Sequence, residues 1–352
     1  MGDSDLPERR PTIADVAKRA RVSPGAVSFA LNDRPGVAPA TRLRILEAAE
    51  ELGWRPSARA RALSRSKAFS LGLVMSRDPE LIGADPFFPQ FLAGIEATLQ
   101  ARGYALLLQV VGEDERAEED GYRRLAGEGR VDGVFLTDLR RIDSRFELLA
   151  ELGLAAVAVG RPEGTCPFPS VAPDDRIGAR AAIAHLISLG HTDIAHVAGA
   201  PSYVHSESRR AVWSDELRRA GLREGPVVSG DFTGPEGARA TIRLINSATP
   251  PTAIFFANDL MAVAGMSAAV AAGVRVPHDL SVAGFDDIPL AAHVTPALTT
   301  VRQDVATWGE AAAETLLAVV EGASPPAVSL EPPELIVRAS TGPPREEGGP
   351  MG

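Results

Sequence analysis

Cysteine is almost absent from this chain of 352 residues, which contains a single one, Cys166, in a proline-rich loop. One cysteine allows neither an intramolecular disulfide nor a zinc site built on several thiolates. Long apolar runs are missing too, since none reaches the roughly eighteen residues of a membrane-spanning helix. The polar first ten residues, MGDSDLPERR, lack the apolar core of a secretory signal. We therefore expect a cytoplasmic protein without membrane contact.

The usual sequence signatures of enzymes are also missing. The first strand-like run, at 71–75, continues into SRDP rather than a glycine-rich nucleotide loop. Neither a Walker A lysine motif nor a G-x-S-x-G elbow occurs, and the six histidines show no metal-ligand spacing. We expect no catalytic residue, no metal and no cofactor other than a small-molecule ligand, so an enzyme is the least supported class.

Charge is distributed unevenly along the chain. Thirteen basic and five acidic residues between positions 9 and 67 give this segment a net charge of +8. The whole chain carries −10, so the remainder carries −18. A basic module attached to an acidic body is typical of a protein that binds DNA through the module alone.

Three short helices are predicted in the basic segment. Thr12 can cap the first, with Asp15 completing a capping box, and apolar residues follow at helical spacing. After a turn of two residues, Ser23 and Pro24 mark the start of a second helix, and a third spans 41–52. This arrangement predicts a helix-turn-helix; a generic three-helix bundle with a basic face remains the alternative at this point.

The segment also resembles the DNA-binding headpiece of the LacI/GalR family of bacterial transcription regulators, and weaker similarity continues to about Gly342. The matching pieces fix residue types at many offsets across some fifty positions. They are T-I-A-D-V-A at 12–17, V-S at 22–23, A-V-S at 26–28, L-N at 31–32, A-T-R at 40–42, A-A-E-E-L-G-W at 48–54 and A-R-A-L at 60–63.

The resemblance implies that the helix over 23–32 lies in the major groove of double-stranded operator DNA. The chain departs from the family at Pro24 and Gly25, usually polar, and at Phe29, where arginine is common. Proline and glycine have no side-chain donors, so either Phe29 and Ala26 contact thymine methyl groups or specificity lies elsewhere. The implied DNA-contacting positions are Thr12, Ser23, Ser28 and Asn32 for phosphates, and Pro24, Gly25, Ala26 and Phe29 towards the bases.

Residues 57–68 are predicted to form a hinge between headpiece and body. In the family a short helix here pairs with its twin in a dimer, and a leucine enters the minor groove and kinks the DNA. Ala60 and Leu63 stand at the matching positions. So short a helix is unstable alone and should form only in a dimer on DNA. A basic, flexible linker is the alternative.

From Phe69 the pattern becomes an alternation of strands and helices, which predicts parallel sheets covered by helices. The predicted fold class is α/β: an all-α helix-turn-helix headpiece plus a two-lobed periplasmic-binding-protein-like domain of parallel sheets. The predicted boundaries are 1–10 for a disordered lead, 11–56 for the DNA-binding domain, 57–68 for the hinge, 69–340 for the effector-binding and dimerisation domain (lobes 69–161 plus 292–325, and 162–291 plus 326–340) and 341–352 for a disordered tail.

Polar and aromatic residues follow several predicted strands, at the edge where open α/β sheets bind ligands. Carboxylate, amide and guanidinium groups can each bind paired hydroxyls, and an aromatic ring can cover the apolar face of a sugar. The resemblance points to a ligand set consisting of Phe88, Asp138, Arg161, Arg209, Phe232, Asn258 and Asp286.

Together these features predict a homodimeric repressor that binds operator DNA and is controlled by a carbohydrate effector bound between the lobes. A purine- or nucleoside-responsive corepressor-type regulator is the alternative within this class, because Phe87 and Phe88 would also suit a base. A solute-binding protein without a regulatory role is the alternative from another class, and the missing signal and the headpiece both count against it.

Replacing Leu63 with alanine tests the predicted hinge. Specific operator binding should weaken on the order of tenfold, because the side chain that would kink the DNA is lost. Effector affinity should stay nearly unchanged, since the leucine acts only on DNA. Fluorescence anisotropy with labelled operator, together with effector titration, measures both. An equal loss of effector binding would show that the hinge is misplaced.

Overall fold

The computed structural model describes residues 11–31, 35–54, 67–77, 79–112 and 114–345. The chain divides into two compact units, Met1–Ala68 and Phe69–Gly352. We call the first the headpiece and the second the body. The predicted DNA contacts Asn32, Ala60 and Leu63, and most of the predicted hinge, lie outside the described residues.

The headpiece contains three helices. The first two start at the predicted signals, whereas the third begins at Pro39, two residues before the predicted position 41. The Thr12 backbone N–H donates to Asp15 Oδ2 at 2.8 Å, which confirms the capping box. Ser23 Oγ accepts from the Ala26 N–H at 3.1 Å, as expected of a cap. The helices are α1 (Ile13–Ala20), α2 (Pro24–Leu31) and α3 (Pro39–Glu51).

The three helices bury a small apolar core, to which each contributes one fully buried side chain, Val16, Val27 and Ile45. Arg21 closes α1 with φ of 56°, the left-handed region in which glycine is the unstrained residue. This turn is therefore a strained one. Phe29 remains 43% exposed on α2. An exposed aromatic ring on this helix is available for contact with another molecule.

The body alternates strands and helices, and its apolar runs form strands that, away from the sheet edges, are buried on both faces, as parallel sheets require. The strand-like run predicted at 71–75 is present as the first of the strands in the body. Their bounds and those of the helices, in chain order, are β1 (Ser70–Met75), α4 (Pro79–Ala84), α5 (Phe87–Arg102), β2 (Ala105–Val110), α6 (Glu115–Gly127), β3 (Gly133–Leu136), α7 (Arg145–Glu151), β4 (Ala155–Val159), β5 (Ser170–Ala172), α8 (Asp175–Ser188), β6 (Ile194–Ala198), α9 (Val204–Arg219), β7 (Val227–Ser229), α10 (Gly234–Ile245), β8 (Ala253–Phe256), α11 (Asp259–Ala271), β9 (Ser281–Ala283), a 3₁₀ turn (Pro289–Ala292), β10 (Thr300–Arg302), α12 (Val305–Val320), β11 (Val328–Ser329) and β12 (Glu334–Ile336).

Two parallel sheets define the two lobes. The first lobe contains a six-stranded sheet in the order β11-β5-β4-β3-β1-β2, and the second a four-stranded sheet in the order β7-β6-β8-β9. The short antiparallel pair β10–β12 contacts α8 of the second lobe. Because all strands in each sheet run parallel, their carboxyl ends share one edge, where loops can present polar side chains.

The lobe boundaries lie later than predicted. Strand β5 extends the first sheet to Ala172, so the chain leaves this lobe about ten residues after the predicted position 161. The return follows Arg302 rather than 291, and the last crossing follows Ser329 rather than 325. The cause is three strands of two or three residues, β5, β10 and β11, which are too short to show any periodicity in the sequence.

Residues 341 and 342, which the sequence places in a disordered tail, make specific contacts. His185 Nε2 lies 2.9 Å from Thr341 Oγ1, and His191 Nε2 lies 2.9 Å from the Gly342 carbonyl oxygen. The Gly342 N–H also donates to Ser281 Oγ at 3.0 Å. Ordered structure thus continues past position 340. Within the described ranges, the helices are all too short or too polar to cross a membrane.

Helices α5 and α12 approach each other closely because glycines face one another. A Cβ built on Gly94 would lie 2.0 Å from the Ala306 carbonyl oxygen, and one on Gly309 would lie 2.3 Å from the Phe91 carbonyl oxygen. Backbone atoms cannot rotate away as side chains can, so these positions accept no side chain without separating the helices.

Gly94→Ala should therefore destabilise the body by about 1–3 kcal/mol, the usual cost of overpacking a core. Urea denaturation measures the change in the free energy of unfolding. Gly127→Ala is the matched control, because no atom lies within 4 Å of its built Cβ, at the end of a helix. Alanine there should leave stability unchanged or raise it by up to about 1 kcal/mol. Equal stability of the two variants would contradict the packing argument.

Candidate functional site

A cavity of about 340 Å³ lies between the two lobes of the body. The carboxyl ends of β1, β3 and β4 reach it from the first lobe, and those of β8 and β9 from the second. All seven residues predicted to bind the ligand line this cavity, although they come from both lobes and are up to 198 positions apart. They are Phe88, Asp138, Arg161, Arg209, Phe232, Asn258 and Asp286.

An ion pair within the first lobe forms part of the cavity wall. Arg77 Nε donates to Asp138 Oδ2 at 2.7 Å, and Arg77 Nη2 donates to the other carboxylate oxygen. Burial alone would raise the pKa of Asp138, but the charge and hydrogen bonds of Arg77 outweigh it and lower that pKa. The carboxylate therefore stays ionised, and the bidentate pair holds it in one orientation.

Aromatic rings surround the guanidinium of this pair. The Arg77 guanidinium carbon lies 5.5 Å from the ring centre of Phe88, 5.0 Å from Tyr203 and 5.3 Å from Phe232. His205 stacks on Tyr203 with ring centres 5.6 Å apart. Burial, and then the charge of nearby Arg209, lower the pKa of His205 to about 3, so its imidazole is neutral. This aromatic surface suits the apolar face of a ring-shaped ligand.

Arg209 enters from α9 and is 6% exposed. It donates through Nη1 to the Ala257 carbonyl oxygen, and its guanidinium carbon lies 3.7 Å from the Phe285 ring centre. Arg209 Nε is 3.6 Å from Asp175 Oδ2, and among the described residues neither of these two buried atoms has a hydrogen-bond partner. Buried polar groups left in this state in a cavity are available to a ligand.

Asp286 follows β9 and is held by its surroundings. Gln303 Nε2 donates to Asp286 Oδ1 at 2.8 Å. Two residues further on, the Ile288 N–H donates to Asp259 Oδ2 at 2.9 Å, which fixes the loop. Burial, and then the repulsion of Asp85, raise the pKa of Asp286 to about 7 against the stabilising charge of Arg209. This carboxyl group therefore changes its ionisation near neutral pH.

Three of the seven predicted ligand residues have left-handed backbone angles. The φ angles are 50° at Asp138, 70° at Phe232 and 116° at Asp286. Residues other than glycine adopt such angles only where the surrounding structure enforces them, and strain of this kind clusters at functional sites. The concentration of strained residues in this cavity supports its functional role independently of the side-chain chemistry.

The side chains of Asn258 and Arg161 are less available to a ligand than their residue types suggest. Asn258 is the N-cap of α11: its Oδ1 accepts from the Met261 N–H at 3.1 Å, and its Nδ2 donates to the Phe232 carbonyl oxygen at 3.0 Å. Its side chain is therefore engaged both in capping α11 and in holding Phe232. Arg161 is half-exposed at the rim, with its Nη2 3.8 Å from Asp174 Oδ2.

The sequence analysis missed several lining residues. Arg77 directly follows β1 and could have been found by the strand-end rule that identified Asp138. Gln303 follows β10, which is too short to predict, and Asp85 precedes α5 with no strand beside it. The other missed polar and aromatic positions are Asp175, His205 and Trp308.

Apart from Thr12, the described residues that are predicted to contact DNA lie on α2 and its cap. Ser23, Pro24, Gly25 and Phe29 are exposed, while Ala26 and Ser28 are half-buried. Thr12 lies at the start of α1 and is half-buried. The described positions that are predicted to contact DNA are thus on the surface or at its edge, as groove contacts would require.

Comparisons with known proteins agree with both units. Residues 12–57 match the description "Bacterial regulatory proteins, lacI family", and residues 183–341 match "Periplasmic binding protein-like domain". The HTH-type transcriptional regulator CelR of Thermobifida fusca is 35% identical over 328 residues, which cover 92% of this chain and 95% of CelR.

Two solved structures have the same fold over nearly the whole chain. A CelR–cellobiose complex aligns with a TM-score of 0.72 at 34% identity, covering 94% of this chain and 100% of that chain. The lac repressor dimer bound to operator and the anti-inducer ONPF aligns with a TM-score of 0.84 at 28% identity, covering 95% and 100%. This chain belongs to the LacI family of bacterial transcription regulators. The predicted family and fold class are confirmed.

The raised pKa of Asp286 has a measurable effect on stability. Folding raises this pKa from the ordinary 3.8 to about 7, so the group favours the folded state most at low pH. That contribution is lost as pH rises from about 4 to about 7, because ionisation then costs less in the unfolded chain.

Asp286→Asn removes the titrating group while keeping an acceptor for Gln303. The free energy of unfolding of the variant, relative to the native chain, should therefore increase between about pH 4 and pH 7 and level off above. Urea denaturation at several pH values measures it. The exposed residue Asp120 provides the matched control, Asp120→Asn, whose relative stability should not change with pH in this way. A flat profile for Asp286→Asn would contradict the assigned pKa.

Proposed function

We propose that this regulator is a homodimeric repressor that leaves its operator when a carbohydrate effector binds in the cavity between the lobes. The observation that carries the proposal is the convergence of all seven expected ligand residues, from both lobes, on one cavity. A ligand that contacts both walls stabilises one relative position of the lobes over others.

The chemistry of the cavity supports a polyhydroxylated ligand. Carboxylates at Asp138 and Asp286 can accept hydrogen bonds from hydroxyl groups, and Arg209 Nε can donate one. The rings of Phe88 and Phe232 provide an apolar surface beside these polar groups. Such a combination of aromatic and polar groups matches the two faces of a sugar ring. The CelR structure aligned above is a complex with cellobiose, which adds support from a relative.

Contacts across the lobes provide a route by which binding can change their arrangement. The Val204 N–H of the second lobe donates to the Leu139 carbonyl oxygen of the first at 2.9 Å, and the Arg141 N–H donates to the Ser202 carbonyl oxygen at 3.3 Å. Leu139 and Val204 line the cavity beside Asp138. A ligand at Asp138 thus lies next to the only strand-like bridge described between the lobes, so binding and lobe closure should be coupled.

A homodimer is proposed because a repressor of this kind reads a two-fold operator with two headpieces. The surface near residues 81–100 is the expected dimer contact by family analogy. The neighbouring edge strand β2 supports this, since Leu108 and Val110 leave about two fifths of their surfaces exposed. Exposed apolar side chains on an unpaired sheet edge are typical of an interface.

Fluorescence anisotropy of operator DNA from the gene's own upstream region, at fixed salt and with a panel of mono- and disaccharides, tests the proposal. One sugar should lower operator affinity on the order of tenfold, a typical coupling between two sites. A response to purines alone would replace the effector class, and tighter binding with a sugar would make the ligand a corepressor. No response to either class would contradict effector control through this cavity.

Asp286→Ala should abolish the response to the sugar while operator affinity without sugar remains within about twofold, because the change lies outside the headpiece. The same anisotropy titration, with and without sugar, measures both quantities. Asp120→Asn, an exposed change on α6, should respond as the native chain does. A full sugar response in Asp286→Ala would remove this residue from the binding site.

A further inference from the structure

We infer that the cavity accepts carbohydrates without an acid group and rejects phosphorylated sugars and uronic acids, and that Asp85 together with Asp286 makes this selection. The inference rests on the proposed carbohydrate effector, and it adds that this effector carries no acid group. It also assigns a role to Asp85, a residue that sequence analysis did not identify.

The charged groups that line the cavity do not balance. Six carboxylates line it, from Asp85, Asp138, Glu163, Asp175, Glu207 and Asp286, whereas four lining residues, Arg77, Arg161, Arg176 and Arg209, carry a guanidinium. With every group ionised, the lining carries two more negative charges than positive ones. An additional anion would be placed in a region of low dielectric constant where repulsion is weakly screened.

The two deeply buried guanidinium groups are already associated with particular carboxylates. Arg77 makes its bidentate contact with Asp138, and Arg209 lies 3.6 Å from Asp175. Asp85 and Asp286 are the two interior carboxylates left over, and in the described part of the chain neither lies within 4.0 Å of a cationic nitrogen, the limit for an ion pair. Once both groups are ionised, which for Asp286 requires a pH above about 7, the excess negative charge is therefore located on this pair.

Asp85 and Asp286 come from opposite lobes. Asp85 lies just before α5, is 7% exposed, and accepts one hydrogen bond, from the Phe87 N–H at 3.0 Å. Asp286 accepts from the neutral amide of Gln303. Burial is the main cause that raises the pKa of each. The charge of Arg77 counteracts it at Asp85 and that of Arg209 at Asp286, while the charge of Asp85 adds to it at Asp286. Two acids that repel each other across a cavity are suited to share hydroxyl donors from one ligand.

The arginines at the rim of the cavity do not offset the excess negative charge in its interior. Arg161 and Arg176 both lie near Asp174, and both are about half-exposed. The rim carboxylates Glu163 and Glu207 are themselves paired, with Arg141 and Arg210. Exposed pairs of this kind are screened by water and salt, so they exert a weak field on the interior.

Isothermal titration calorimetry on the full-length protein tests the inference. Glucose, galactose, ribose, maltose and cellobiose are compared with glucuronate, galacturonate, glucose 6-phosphate, ribose 5-phosphate and cellobionate. We expect at least one neutral sugar to bind, and its acidic counterpart to bind at least tenfold more weakly.

Asp85→Asn keeps the acceptor for the Phe87 N–H but removes the charge, and it should reduce this difference in affinity severalfold. Asp120→Asn removes an exposed carboxylate and should leave the difference unchanged.

Asp286→Asn provides a second variant that should narrow the same difference, so the test does not depend on the folding of Asp85→Asn alone. An acidic sugar that binds the native chain as tightly as its neutral counterpart overturns the inference and leaves a carbohydrate effector in place. A difference that neither variant reduces overturns the assignment to Asp85 and Asp286. If no sugar of either kind binds, the carbohydrate proposal fails, and the inference fails with it.

Discussion

The cavity of this protein depends on pairing between buried charges. An isolated charge inside a protein is strongly unfavourable, and it becomes tolerable when an opposite charge and hydrogen bonds surround it. The bidentate contact between Arg77 and Asp138 satisfies this condition, and the aromatic rings around the guanidinium add to it. Through this pair, β1 and β3 can end in charged residues inside an apolar body. The polar groups that a ligand would meet are thus part of the folded core itself.

Only a few segments of the described chain connect the two lobes of the body. The chain passes between the lobes only near positions 173, 303 and 331, and one of these passages carries Gln303, the residue that holds Asp286. A group that contacts the ligand environment is therefore also part of the connection about which the lobes can move. In the proposed mechanism, binding and movement would share the same atoms at this point, without a longer chain of contacts between them.

Much of this architecture could be predicted from sequence, because long buried strands and helix caps leave local patterns. Strands β1 to β4 and the Thr12 cap are of this kind. Strands β5, β10 and β11 have two or three residues and no period, so the lobe boundaries were placed too early. The seven lining residues follow from the strand-end rule and from family resemblance. Asp85 and Gln303 could not be found in this way, since their place in the cavity is set by distant parts of the chain.

The left-handed backbones at Asp138, Phe232 and Asp286 restrict how this cavity can be redesigned as a sensor for another compound. Glycine, asparagine and aspartate adopt such angles most readily, so many other substitutions at these three positions would add backbone strain. Arg77, Asp85 and Gln303 line the same cavity and have no left-handed backbone. Laboratory evolution of a new specificity should therefore begin at Asp85 and Gln303 and leave Arg77, which holds Asp138, unchanged.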